Sequence, residues 1–214
     1  MNISMQHIWT EFFTIALIHI LAVISPGPDL AVTLKHSVQY GRTSGIWTSI
    51  GIGAGIFVHV FYSIIGLGLI ISQSILLFNL IKFIGAFYLI YVGIKALKAS
   101  PQNVSQLENL KSSTISSSKS FNIGFITNVL NPKATLFFLA VFSVTVSPDT
   151  PSYIKFFYGL WMSFATAIWF SLVTLIFTKS YVRNAFNKFG HWFERTMGII
   201  LIGLGIRLCF TSAK

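Results

Sequence analysis

The chain has 214 residues, 54 % of them hydrophobic and 9 % charged, against about 25 % charged in an ordinary soluble domain. That is too little charge to cover a soluble surface. The 15 Lys and Arg outnumber the 5 Asp and Glu, but they sit in short links between apolar runs and form no hydrophilic basic face. Membrane topology accounts for them, and nucleic-acid binding is excluded.

The first apolar run, Phe12 to Ile24, has the length of a signal-peptide core, yet its flank carries Glu11 instead of basic residues and no small-residue cleavage site precedes Pro26. It reads as a retained helix. From there six spans are expected, at about residues 12–34, 46–71, 76–98, 121–146, 156–178 and 196–212. No Asp, Glu, Lys or Arg occurs between Arg42 and Lys82 or between Lys155 and Lys179, stretches longer than the roughly 20 residues that a spanning helix needs. The fold class is therefore an all-α membrane protein forming a single transmembrane domain over 1–214. A polar, Ser-rich link at 100–120 separates a first half, 1–99, from a second, 121–214.

Lys and Arg near span ends are retained in the cytoplasm. Links one, three and five hold Lys35, Arg42, Lys95, Lys98, Lys111, Lys119, Lys179, Arg183, Lys188 and Arg195, whereas the opposite side holds Lys82, Lys155, Arg207 and Lys214. This bias predicts both termini outside. The halves echo one another: Leu89 to Lys95 resembles Leu201 to Arg207, and Val23-Ile24-Ser25-Pro26 resembles Val129-Leu130-Asn131-Pro132. Three spans per half make the second half enter in the opposite sense, so a 3+3 inverted repeat is the economical reading.

In span one, Ser25-Pro26-Gly27-Pro28-Asp29 removes two backbone donors within three residues, so the helix must break. A break at membrane depth is tolerated only inside protein or beside a water-filled cavity. The half-helix starting near Pro28 would aim its positive dipole end into that cavity, where an anionic group fits. Asp29 is the only acidic residue deep in an expected span. It is a candidate to bind a substrate ammonium group or to carry a proton; the bland alternative is a cap or an ion pair that merely locks two helices.

Span four repeats the theme with a cation, Asn131-Pro132-Lys133. In an inverted repeat the two breaks face each other, which makes Asp29 and Lys133 natural opposites. Asn128 and Asn131, three residues apart, share a helical face and offer amide hydrogen bonds to a zwitterion, or simply join helices. His19 and His59 also fall within spans, either as proton relays or as hydrogen-bonded packing residues. Gly51 and Gly55 have the spacing of a close helix contact and permit, without requiring, a homodimer. The lone Cys209 rules out an internal disulfide and a thiolate metal cage. No cofactor or metal site is indicated.

Together these elements resemble the LysE/RhtB family of amino-acid exporters, most closely the threonine and homoserine branch. The likeness rests on His19-Ile20 leading into Ser25 to Asp29, on Gly41-Arg42, on the Gly85 to Gly93 span, on Thr127 to Ala134 and on Leu201 to Arg207. It covers essentially the whole chain outside the link. The resemblance implies secondary-active export of a small amino acid across the bacterial inner membrane, driven by proton antiport, and no enzymatic activity. The other classes considered are a membrane scaffold and a metal-dependent membrane enzyme using His19, His59 and Asp29. The sequence contains neither a metal-binding motif nor a Gly-x-Ser-x-Gly elbow to support the enzyme.

Overall fold

A computed structural model describes residues 4–25, 27–73, 75–98, 114–147 and 149–210. Among these the chain forms eight helices and no strand: α1 (Met5–Ile24), α2 (Pro28–Gln39), α3 (Arg42–Gln73), α4 (Ile75–Leu97), α5 (Ser117–Val129), α6 (Pro132–Thr145), α7 (Ser152–Phe177) and α8 (Ser180–Cys209). Most of the polar link falls outside the described residues, and its final turn, Ser117–Ser120, is already helical.

The expected spans correspond to α1 with α2, then α3, α4, α5 with α6, α7 and α8. Met5–Ile24, Arg42–Ile65 and Ser152–Phe177 are each long and apolar enough to cross a membrane alone. Ser117–Val129 and Pro132–Phe142 qualify together as one span bent by 55°, while Phe83–Leu97 and Gly198–Arg207 are shorter apolar stretches. Span one departs from expectation. Its first helix starts at Met5, which brings Glu11 inside it, and α2 continues to Gln39.

Lipid is as apolar as a leucine side chain, so hydrophobicity does not drive these helices together; close packing and polar contacts do. On α3, Gly51 and Gly55 face α5. A Cβ at Gly51 would run into the Phe121 carbonyl, and one at Gly55 would lie 2.6 Å from Asn128 Oδ1. Further down the interface, Ser44 Oγ meets Ser120 Oγ at 2.9 Å, and His36 Nδ1 of α2 meets Thr48 Oγ1 of α3 at 2.7 Å. α3 thus joins α5 on one side and α7 on the other, where Ser163 Oγ donates to Gly53 O at 2.8 Å. The apolar core lies towards the α1 N-terminus, with Ile15, Ile56, Val60, Phe137, Phe138, Phe142, Tyr158 and Met162 buried together. A smaller cluster around Leu34, Val173 and Phe177 closes the other end.

The pairings α3 with α7 and α4 with α8 are the ones that a two-fold axis between halves would map onto themselves. The extensive contact of α3 with α5 has a weaker counterpart between α7 and α1. Packing is therefore only partly symmetric.

Candidate binding site at two helix breaks

α1 ends at Ser25 because the residue before a proline is pushed out of the helical region; Ser25 is extended, at φ −64° and ψ 134°. Gly27, also extended, is the N-cap of α2, and Pro28 occupies the first turn, where a missing N–H costs nothing. No side chain caps this N-terminus. Asp29 sits in the same first turn.

The second break is built differently. Asn131 caps α6, its Oδ1 accepting from Lys133 N at 3.0 Å, and Pro132 fills the first turn. The other end of the same amide crosses to the first break: Asn131 Nδ2 donates to Asp29 Oδ2 at 3.0 Å. Asn128 Nδ2, from the last turn of α5, donates to the same oxygen at 3.0 Å. Two amides thus hold one oxygen of the carboxylate. The other, Oδ1, is shielded from solvent and has no hydrogen-bond partner among the described residues, and the same holds for Ser25 Oγ.

Lys133 reaches back across the breaks. Its ammonium group donates to Ser25 O at 2.6 Å and to Ala22 O at 3.0 Å, occupying carbonyls at the end of α1 that have no partner within that helix. Its stem passes over Gly27, where a Cβ would lie 3.2 Å from Lys133 Cδ. Lys133 and Asp29 also attract each other electrostatically.

These groups line a narrow cavity of about 40 Å³, smaller than the roughly 300–1,000 Å³ of open small-molecule sites, so the breaks must part to take a ligand. Ser25, Gly27, Asp29, Asn128, Asn131 and Lys133 supply its polar wall, and Ile56, Phe137, Phe138 and Phe170 are among its apolar residues. His19 completes it beside Thr166. Nε2 of His19 lies 3.2 Å from Met162 O and 3.0 Å from Thr166 Oγ1. A carbonyl only accepts, so Nε2 carries the proton and Nδ1, buried and without a partner among the described residues, is left with its lone pair.

Of the residues singled out from sequence, Ser25, Gly27, Asp29, Asn128, Asn131, Lys133 and His19 meet at this cavity. Pro28 and Pro132 shape the two helix starts from exposed positions, and Pro26 lies outside the described residues. His59 stands behind Asn128, off the cavity. Its Nε2 donates to Asn128 O at 2.9 Å and its Nδ1 contacts Tyr62 Oη at 2.6 Å. Because Nε2 carries the ring proton, Nδ1 accepts from Tyr62 Oη, which also lies 3.5 Å from Thr135 O, so α3 lies against both sides of the α5–α6 break. Among the described residues no three His, Cys, Asp or Glu side chains converge as metal ligands.

Sequence reasoning missed Thr166, Phe137, Phe138 and Tyr62. Each lies in an apolar run where Thr, Phe and Tyr are ordinary, so only the packing reveals them. Glu11 was missed for another reason: its helix starts seven residues earlier than the expected span.

Residues 20–212 match the model of the LysE type translocator family. The chain is 30 % identical to the threonine efflux protein of Escherichia coli K12 over 203 residues, covering 92 % of this chain and 96 % of that one. It is 29 % identical to the threonine efflux protein of Salmonella typhi over 198 residues, with the same coverage. It is also 30 % identical to an uncharacterized membrane protein of Bacillus subtilis, YrhP, covering 87 % of this chain and 92 % of that one. No solved structure matches. With a match that spans nearly its whole length and several helices long and apolar enough to cross a membrane, the chain belongs to the LysE-type translocators and is a multi-pass protein of the inner membrane.

Proposed function

We propose that this chain exports a small amino acid of the threonine or homoserine type across the bacterial inner membrane, in exchange for protons. The observation that carries the reading is Asp29 Oδ1, a shielded carboxylate oxygen without a partner among the described residues, at the junction of two helix breaks. A carboxylate accepts about four hydrogen bonds, and the two Asn amides use only one of its oxygens. A substrate ammonium group fits Oδ1, with Ser25 Oγ as a second acceptor. The substrate carboxylate goes to the uncapped N-terminus of α2, beside Lys133. Nδ1 of His19 offers an acceptor for a side-chain hydroxyl. The names of the relatives support the substrate class.

Alternating access around the two breaks would carry the substrate across, with proton entry at Asp29 releasing it outward. The two halves would act as an inverted repeat, and both termini would lie outside. Efflux of preloaded radiolabelled threonine, homoserine, lysine and leucine from expressing cells tests this. Accelerated loss of threonine or homoserine that collapses with a protonophore is expected; loss unaffected by the protonophore contradicts proton exchange, and no loss of any of the four contradicts the substrate class.

A further inference from the structure

A second buried carboxylate lies far from the cavity. Glu11 is 14 residues before Ser25 on α1, about 21 Å along the helix, and is only 4 % exposed. Its Oε1 accepts from Ser147 N at 2.7 Å and from Thr150 Oγ1 at 3.1 Å. Its Oε2 lies 2.9 Å from the same hydroxyl and accepts from Tyr158 Oη at 3.2 Å. His7, one turn earlier on α1 and exposed, pairs with Oε1 at 3.1 Å. Lys155, buried on α7, is attracted to Glu11 and to Asp149 of the α6–α7 connection. Tyr158 Oη also lies 2.9 Å from Ile8 O. One α1 side chain therefore holds both the end of α6 and the start of α7.

Between this cluster and the cavity the path is filled by Ile15, Phe137, Phe138, Tyr158 and Met162. Those contacts are apolar and tolerate sliding; the directional bonds sit at Glu11. Glu11 is too far from the cavity to touch a substrate bound there. We propose that Glu11 is the latch of the outer gate: its hydrogen bonds close α1 onto α6 and α7 while the cavity is sealed on this side, and they break for release. The inference rests on the export reading and on the Lys and Arg bias that assigns this end to the outside. Glu11 acts as a positioning residue, through helix α1.

The test uses Cys209→Ser to remove the chain's own thiol and Val23→Cys to place one on the cavity wall. A membrane-impermeant maleimide is applied to intact cells and, separately, to inverted vesicles. With Glu11 present, labelling of intact cells is slow; adding Glu11→Ala raises its rate by roughly tenfold, and Glu11→Gln, which keeps an acceptor oxygen, raises it less. Tyr158→Phe and Thr150→Val each remove one donor, raise the rate by a few fold, and serve if Glu11→Ala fails to insert. Unchanged labelling in all inserted variants, or a rise seen only in inverted vesicles, overturns the latch. Threonine efflux by the unsubstituted chain is measured alongside. Its absence counts against the export reading, whereas normal efflux with unchanged labelling counts against the latch alone.

Discussion

The two helix breaks are made from similar residues and end in different states. At the α5–α6 break, Asn131 caps the new helix with one end of its amide and grips Asp29 with the other. His59 occupies the Asn128 carbonyl and is itself held by Tyr62. At the α1–α2 break the carbonyl end is closed by a residue from the other half, Lys133. The N-terminal end has no side-chain cap, and Asp29 and Ser25 keep unused polar atoms. Unpaired backbone and side-chain groups at membrane depth cost several kcal/mol each; among the described residues the α5–α6 break leaves one such side-chain atom, Asn128 Oδ1, whereas the α1–α2 break leaves two and an uncapped helix end, and is the better prepared to take a ligand.

The sharpest way to break this comparison is Asp29→Asn. The amide oxygen can replace Oδ2 beneath Asn128 and Asn131, but its NH2 group then takes the place of Oδ1 and presents donors to an ammonium group. Export should fall by about a hundredfold or more, as for loss of one partner of a buried charge pair, with normal membrane insertion on immunoblots of isolated membranes. Lys133→Met comes next. It strips two carbonyls of α1 of their cation, which costs about 2–5 kcal/mol, and should lower the detergent-solubilised protein's thermal midpoint as well as its export.

Asn131→Ser separates the two jobs of that residue. Serine is a good cap but cannot reach Asp29, so stability should change by less than about 1 kcal/mol while the apparent affinity for substrate weakens by roughly tenfold. Equal losses of stability and affinity would merge the two breaks into one structural feature. Gly55→Ala tests the wall behind them: the new methyl would sit 2.6 Å from Asn128 Oδ1, and the helix shift should cost about 1–3 kcal/mol. Gly203→Ala, with nothing within 4 Å of the added carbon, is the matched control and should leave the thermal midpoint nearly unchanged.

Much of this was legible in the sequence because proline and charge are conspicuous in an apolar chain. Pro28 and Pro132 locate both breaks, and the rarity of acids isolates Asp29. The partners of these groups were not legible. Asp29 and Lys133 attract each other, yet what holds the carboxylate is two Asn amides and what occupies the ammonium group is the end of α1. Hydrogen-bond geometry decides between such partners, and spacing carries none of it. His19 and His59 looked alike in sequence, but only the first lines the cavity. Glu11 was hidden by its position one residue before the expected span, where the apolar pattern begins but the helix does not.

If Asp29 reads the substrate ammonium group, blocking that group must abolish recognition. Equilibrium binding of labelled threonine to the purified chain, in competition with unlabelled threonine and with N-acetylthreonine, tests it directly alongside Asp29→Asn. Free threonine should displace the label, the acetylated form should do so little, and the variant should not bind; equal displacement by both, or unchanged binding by Asp29→Asn, would rule out that role for Asp29.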